Sequence, residues 1–103
     1  MGTLILYRAD GNVHTELCPA TVVDDRVFLD KLQQLVGGYI EIVWVLYNGK
    51  RTAMIVNEDG LSLKLPPNAK ATEIYRETAK FSGYESCDVI VGDVVILEGV
   101  TIK

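Results

Sequence analysis

Residues 39–57 read YIEIVWVLYNGKRTAMIVN, two runs of β-branched and aromatic residues on either side of Asn48-Gly49. An Asn-Gly pair between such runs is the strongest short hairpin signal, because both residues accept the positive φ of a tight primed turn. The first run alternates. Tyr39, Glu41 and Val43 share one face, while Ile40, Ile42 and Trp44 share the other. Thr52–Asn57 is the returning strand, so the sheet is antiparallel at this point.

Outward toward the N-terminus, Phe28, Leu32 and Leu35 recur at i, i+4 and i+7, with Leu29 and Val36 widening the stripe. That spacing predicts a helix, capped by Asp24 or Asp25 and stopped by Gly37-Gly38. Before it, Thr3–Arg8 and Val13–Leu17 flank Ala9-Asp10-Gly11-Asn12 and read as a second hairpin, which Cys18-Pro19 interrupts. Outward toward the C-terminus, Glu58-Asp59-Gly60 makes a turn, and Leu61, Leu63 and Leu65 then alternate with Ser62 and Lys64. Pro66-Pro67-Asn68 breaks the sheet. A second helix is expected from near Ala69 to Lys80, with Ala71, Ile74, Tyr75, Thr78 and Ala79 on one face and Gly83 as its stop. Asp88–Leu97 (DVIVGDVVIL) is a final apolar run with Gly92-Asp93 as a bulge or turn in its middle, and Glu98-Gly99 turns again before Val100–Lys103.

Short-turn hairpins with two helices on one face make a single α+β domain over residues 1–103, an antiparallel sheet of about five or six strands with two helices. Its expected core is Leu4, Leu6, Phe28, Leu32, Leu35, Ile40, Ile42, Ile55, Ile74, Val89, Val91 and Val95. With both helices on one side, the apolar run Trp44–Tyr47 leaves its other face for a second subunit, and a homodimer is expected.

Composition narrows the function classes. The 103 residues are 49% hydrophobic and 23% charged, an ordinary globular balance. Ten basic against fourteen acidic side chains leave a net charge of −4, which argues against general nucleic-acid binding. The first residues lack the pattern of a secretory signal, and the longest apolar run is too short for a bilayer, so a cytoplasmic protein without membrane contact is expected. Cys18 and Cys87 are isolated and read as reduced thiols.

Catalytic signatures are sparse. His14 and Cys18 lie four residues apart, with Pro19 at the end of their strand, a poor frame for a nucleophile and its base. One histidine and two distant cysteines do not make a zinc site. Glu41, Glu58, Asp59 and Asp93 are the carboxylates placed to serve acid–base work or to hold a cation, and each also has a turn or solvated-strand explanation. There is no Walker loop, GxGxxG or HExxH. A binding protein without a cofactor is therefore favoured over an enzyme. The alternative is a small metal- or carboxylate-dependent enzyme acting on a nucleotide-like substrate. Tyr39, Asn57, Glu58, Asn68 and Arg76 form the candidate ligand group: a ring to stack, amide donors and acceptors, and a guanidinium for phosphate. The competing explanation is that Asn68 caps the second helix and Arg76 pairs with Glu73 or Glu77.

LQQLVGGYIEIV (32–43), MIVNEDGL (54–61), LPPN (65–68) and IVGDVVIL (90–97) follow one another in this order. In these segments the chain resembles the domain-of-unknown-function family 3846, small proteins of bacteriophages, plasmids and bacteria. Ala69 departs from that pattern, in which an arginine often follows LPPN. The resemblance implies a soluble accessory protein of a phage or mobile element, acting inside a bacterial cell. Together with the sparse catalytic equipment, it points to counter-defence or host modulation. Such a protein either occludes a host protein or sequesters a nucleotide-derived ligand.

Overall fold

The computed structural model describes residues 1–22, 26–83 and 88–102. The proposed Asp24 or Asp25 cap, and Cys87, lie outside the described residues. Among the described residues, seven strands and two helices follow in the order β1 (Gly2–Tyr7), β2 (Val13–Cys18), β3 (Thr21–Val22), α1 (Arg26–Val36), β4 (Ile40–Tyr47), β5 (Lys50–Asn57), α2 (Ala69–Phe81), β6 (Val94–Glu98) and β7 (Thr101–Ile102). Five of the strands form one antiparallel sheet in the order β2-β1-β6-β5-β4, and β3 pairs with β7 in a two-residue parallel ladder. The fold is α+β, as expected. The Asn48-Gly49 hairpin closes with Tyr47 opposite Lys50 and with φ of 50° and 79° at the two turn residues, the primed turn its sequence demands.

The helices lie on opposite faces of the sheet, not on one. Phe28, Leu32 and Val36 of α1 pack on Leu4, Leu6, Ala53, Ile55, Val95 and Leu97. Ala71 and Ile74 of α2 pack on Ile5, Val45, Met54, Val56, Val94 and Ile96, the alternate residues of the same strands. Both faces of β5 and β6 are therefore dry, which is why these strands read as unbroken apolar runs. Beside Trp44–Tyr47 one face is covered from within, Val45 being 2% exposed beneath α2, while Trp44 on the other face is 43% exposed with the Arg51 guanidinium over its ring at 4.1 Å. Thr78 also ties α2 to the outer edge of β4, its Oγ1 accepting from Leu46 N–H at 2.9 Å while donating to Ile74 C=O.

Two segments depart from the strand expectation. Leu61 and Leu63 are 77% and 57% exposed, because residues 58–65 close local turn bonds such as Leu63 N–H to Asp59 C=O and Leu65 N–H to Gly60 C=O. The C-terminal run is extended into the sheet only from Val94. Gly92 adopts φ +78°, and a Cβ there would meet the Leu65 side chain at 2.8 Å. This left-handed step resets the alternation, so Ile90 packs beneath α2 while Val89 is 44% exposed and Val91 half-buried. Val89 and Val91 thus leave the expected core. Leu4, Leu6, Phe28, Leu32, Ile55, Ile74 and Val95 are buried, with Leu35, Ile40 and Ile42 packed on its margin.

On the α2 side the Tyr7 and Tyr47 hydroxyls meet at 2.8 Å, joining β1 to β4. Burial and this hydrogen bond push the Tyr47 phenol well above its ordinary value. A phenol raised in the folded state contributes stability that is complete below its unfolded pKa, about 10, and is lost as pH climbs beyond it. The urea midpoint should therefore fall more steeply for the wild type than for Tyr47→Phe between about pH 9 and about pH 11; parallel curves would contradict the assignment.

Candidate functional site

Asn68 sits at the N-cap of α2, 1% exposed, in extended conformation with φ −111°. Its Oδ1 accepts from Ala71 N–H at 3.0 Å, and its Nδ2 donates to Tyr7 C=O and Gly92 C=O, both at 2.9 Å. Both amide hydrogens and the carbonyl are thus engaged inside the protein. Asn57, 6% exposed at the end of β5, is comparable: Nδ2 donates to Val36 C=O at 3.1 Å, and Oδ1 accepts from Asp59 N–H at 2.8 Å. These two members of the candidate ligand group serve the fold. Tyr39 is 69% exposed, and its carbonyl accepts from Glu58 N–H at 2.9 Å, so Tyr39 and Glu58 are neighbours at one end of the sheet. Arg76 is exposed on α2 and donates its Nε to Asp88 C=O at 3.2 Å.

Among the described residues, three surface cavities separate the candidates. The largest of these three, about 850 Å³, lies on the α2 side where β4 begins and β5 ends. Val43, Val56, Tyr75 and Ile90 give it apolar walls, and Glu41, Glu58 and Asp88 bring three carboxylates to it with no Lys or Arg among its described lining residues. Asn57 also borders it. A second, about 580 Å³, is lined by Arg76 and Lys80 interleaved with Glu73 and Glu77 on α2, and shares Val89 with the first. A third, about 400 Å³, lies between the end of α1 and the Leu65-Pro66 segment, with Arg8 and Asp93 at its border. Tyr39 and Asn68 line none of these three. The expected grouping of Tyr39, Asn57, Glu58, Asn68 and Arg76 around one ligand is not a single cavity.

The remaining reactive groups are held in structural roles. Asp93 accepts from Ala9 N–H at 2.8 Å and approaches Arg8 at 3.7 Å, pinning the β1–β2 turn to the entry of β6. Asp59 stays in its turn. His14 and Cys18 lie on the same side of β2, but they are four positions apart along the strand, roughly 13 Å. Burial first, then the Glu16 carboxylate, push the Cys18 thiol up, so it is protonated at neutral pH. Among the described residues no three His, Cys, Asp or Glu side chains gather as a metal-binding group.

The acid-bordered cleft was half visible in the sequence. Glu41 and Val43 fall on one face by simple alternation, which is the face α2 covers. Tyr75 and Ile90 were not assignable to it, because their approach depends on the Gly92 step and on which face α2 takes.

The segments that carry the family resemblance hold one another. Asn57 joins the end of α1, Asn68 joins Gly92, Gly92 N–H donates to Pro66 C=O at 2.7 Å, and Asn68 N–H donates to Ile90 C=O at 2.8 Å. The family model Domain of unknown function (DUF3846) matches residues 4–101, and the chain belongs to this family. No curated protein and no solved structure matches it.

If Asn68 serves the fold, Asn68→Ala removes a helix cap and orphans two buried carbonyls, at a cost of about 2–5 kcal/mol. Exposed Tyr39→Ala should stay within about 0.5 kcal/mol of wild type. Urea denaturation measures both, and a wild-type midpoint for Asn68→Ala would refute the structural assignment.

Proposed function

We propose that this DUF3846 protein acts by binding, and that its acid-bordered cleft takes a Lys or Arg side chain presented by a protein partner. The observation that carries the reading is the lining of that cleft: an apolar floor bordered by Glu41, Glu58 and Asp88, with no Lys or Arg among its described lining residues. A long basic side chain fits such a site in both parts, its aliphatic stem on Val43, Val56 and Ile90 and its charged head among the carboxylates. At about 850 Å³ the cleft falls within the size range of ordinary ligand sites. The net charge of −4 adds long-range attraction for a basic partner.

Of the two partner classes the sequence leaves open, a host protein fits this lining better than a nucleotide-derived ligand. A phosphate entering the largest cleft would face Glu41, Glu58 and Asp88. In the second cavity Arg76 and Lys80 alternate with Glu73 and Glu77, which cancels most of their field. The resemblance supplies the setting, a phage or mobile-element protein that occludes a host polypeptide in the bacterial cytoplasm. Carboxylates in a cleft also suit acid–base chemistry, but among the described lining residues there is no His or Cys beside them, and the reading stays with binding.

Amide NMR titration with short Lys/Arg-rich peptides tests this. Shifts are expected at Glu41, Val43, Val56, Tyr75 and Ile90, with affinity reduced about tenfold or more in Glu41→Gln/Glu58→Gln. Equal binding of acidic peptides, or shifts confined to Arg76 and Lys80, would overturn it.

A further inference from the structure

We propose that β2 is a homodimerisation edge, pairing antiparallel with β2 of a second copy about a two-fold axis at Thr15. The two outer strands of the sheet are finished differently. The β4 edge is tied to α2 through Thr78, whereas no strand or described helix pairs with the outer side of β2. Nor is that edge blunted in the usual ways: it is six residues long, has no Lys or bulge, and meets Pro19 only beyond its end.

Which groups face outward follows from the turn. Arg8 N–H donates to Asn12 C=O, so Arg8 and Asn12 are a hydrogen-bonded pair. Antiparallel ladders alternate, and the pairs Leu6–His14 and Leu4–Glu16 are therefore also bonded inward. The N–H and C=O groups of Val13, Thr15 and Leu17 point to the open edge. The side chains of these same residues are exposed, Val13 by 57% and Leu17 by 70%.

Self-pairing has few registers, and the side chains discriminate between them. With Thr15 opposite Thr15, Val13 meets Leu17 of the second copy and His14 meets its Glu16, so apolar faces apolar and the carboxylate faces a histidine. Shifting one way places Glu16 opposite Glu16; shifting the other places His14 opposite His14 and shortens the ladder. The Thr15-centred register alone avoids like groups at the charged positions while pairing five residues, Val13–Leu17, of each strand. It is isologous, so it closes as a dimer and leaves no growing fibre. Glu16 already bonds Lys31 at 2.8 Å, which holds it on the α1 side of the strand where the partner's His14 would arrive. A single strand pair buries less than a standard interface, so the dimer is expected in the micromolar range.

Sedimentation velocity from low micromolar to submillimolar concentration should show a reversible monomer–dimer equilibrium. Thr15→Pro removes only an outward N–H, so the intramolecular ladder survives, which circular dichroism verifies. This variant and Leu17→Lys should each weaken dimerisation at least about tenfold. Oxidation then reads the register. Thr15→Cys should form a 15–15 disulfide between copies, since paired Cα atoms lie about 5.5 Å apart. Val13→Cys and Leu17→Cys should cross-link when mixed and not separately. A monomer at every concentration, a dimer indifferent to Thr15→Pro, a 13–13 cross-link, or a foreign polypeptide cross-linked at position 15 would each overturn the proposal.

Discussion

The buried amide of Asn68 is the constraint on which the rest of the structure hangs. One side chain caps α2, holds the C-terminal end of β1 through Tyr7 C=O, and holds the entry to β6 through Gly92 C=O. Its own N–H reaches Ile90 C=O. At 1% exposure there is no water to replace any of these partners, so each lost bond costs its full desolvation penalty. Three segments far apart in the chain are thereby fixed relative to one another. The placement of residues 88–91 beside α2, and with it one wall of the acid-bordered cleft, depends on that fixing.

The strands on either side of this point show what local sequence can and cannot specify. The Tyr39–Asn57 hairpin was legible because its turn chemistry and its alternation agree. Both helices were legible from their spacing. Which face each helix covers was not, since an apolar stripe says that a helix is buried and not against what. A clue did exist: Ala53–Val56 and Val94–Leu97 are apolar at consecutive positions, as strands dry on both faces must be. Leu61, Leu63 and Leu65 mimic a strand in sequence, yet the turn bonds within residues 58–65 use the backbone groups a ladder would need. The one-residue reset at Gly92 turns Ile90, in place of Val89 and Val91, against the margin of the α2-side core, and only tertiary contact with Leu65 reveals it.

The same division runs through the site. Asn57 and Asn68 were conspicuous because polar residues at element ends are often ligand-binding, but such positions are also where helix ends and turns need donors and acceptors. Burial separates the two cases, and a sequence does not display burial. Glu41 and Glu58 were named among the carboxylates for their positions on strand and turn. Their association with Asp88 across the sheet end required the fold.

The two edges of the sheet also bear on how the cleft is presented. In an antiparallel pairing about Thr15, opposite residues share a face, so α2 of each copy lies on the same side of a continuous ten-stranded sheet. The clefts beside β5 then sit at the far flanks, seven strand spacings or roughly 34 Å apart along the sheet. Twist between strands turns the two openings away from strict alignment. A partner with one basic side chain would gain nothing from this arrangement. One with two basic segments, or a repeated surface, would meet the second cleft at a high effective concentration once the first is filled. In the proposed dimer, a cleft that takes one basic side chain would gain strength from symmetry, not from added contacts.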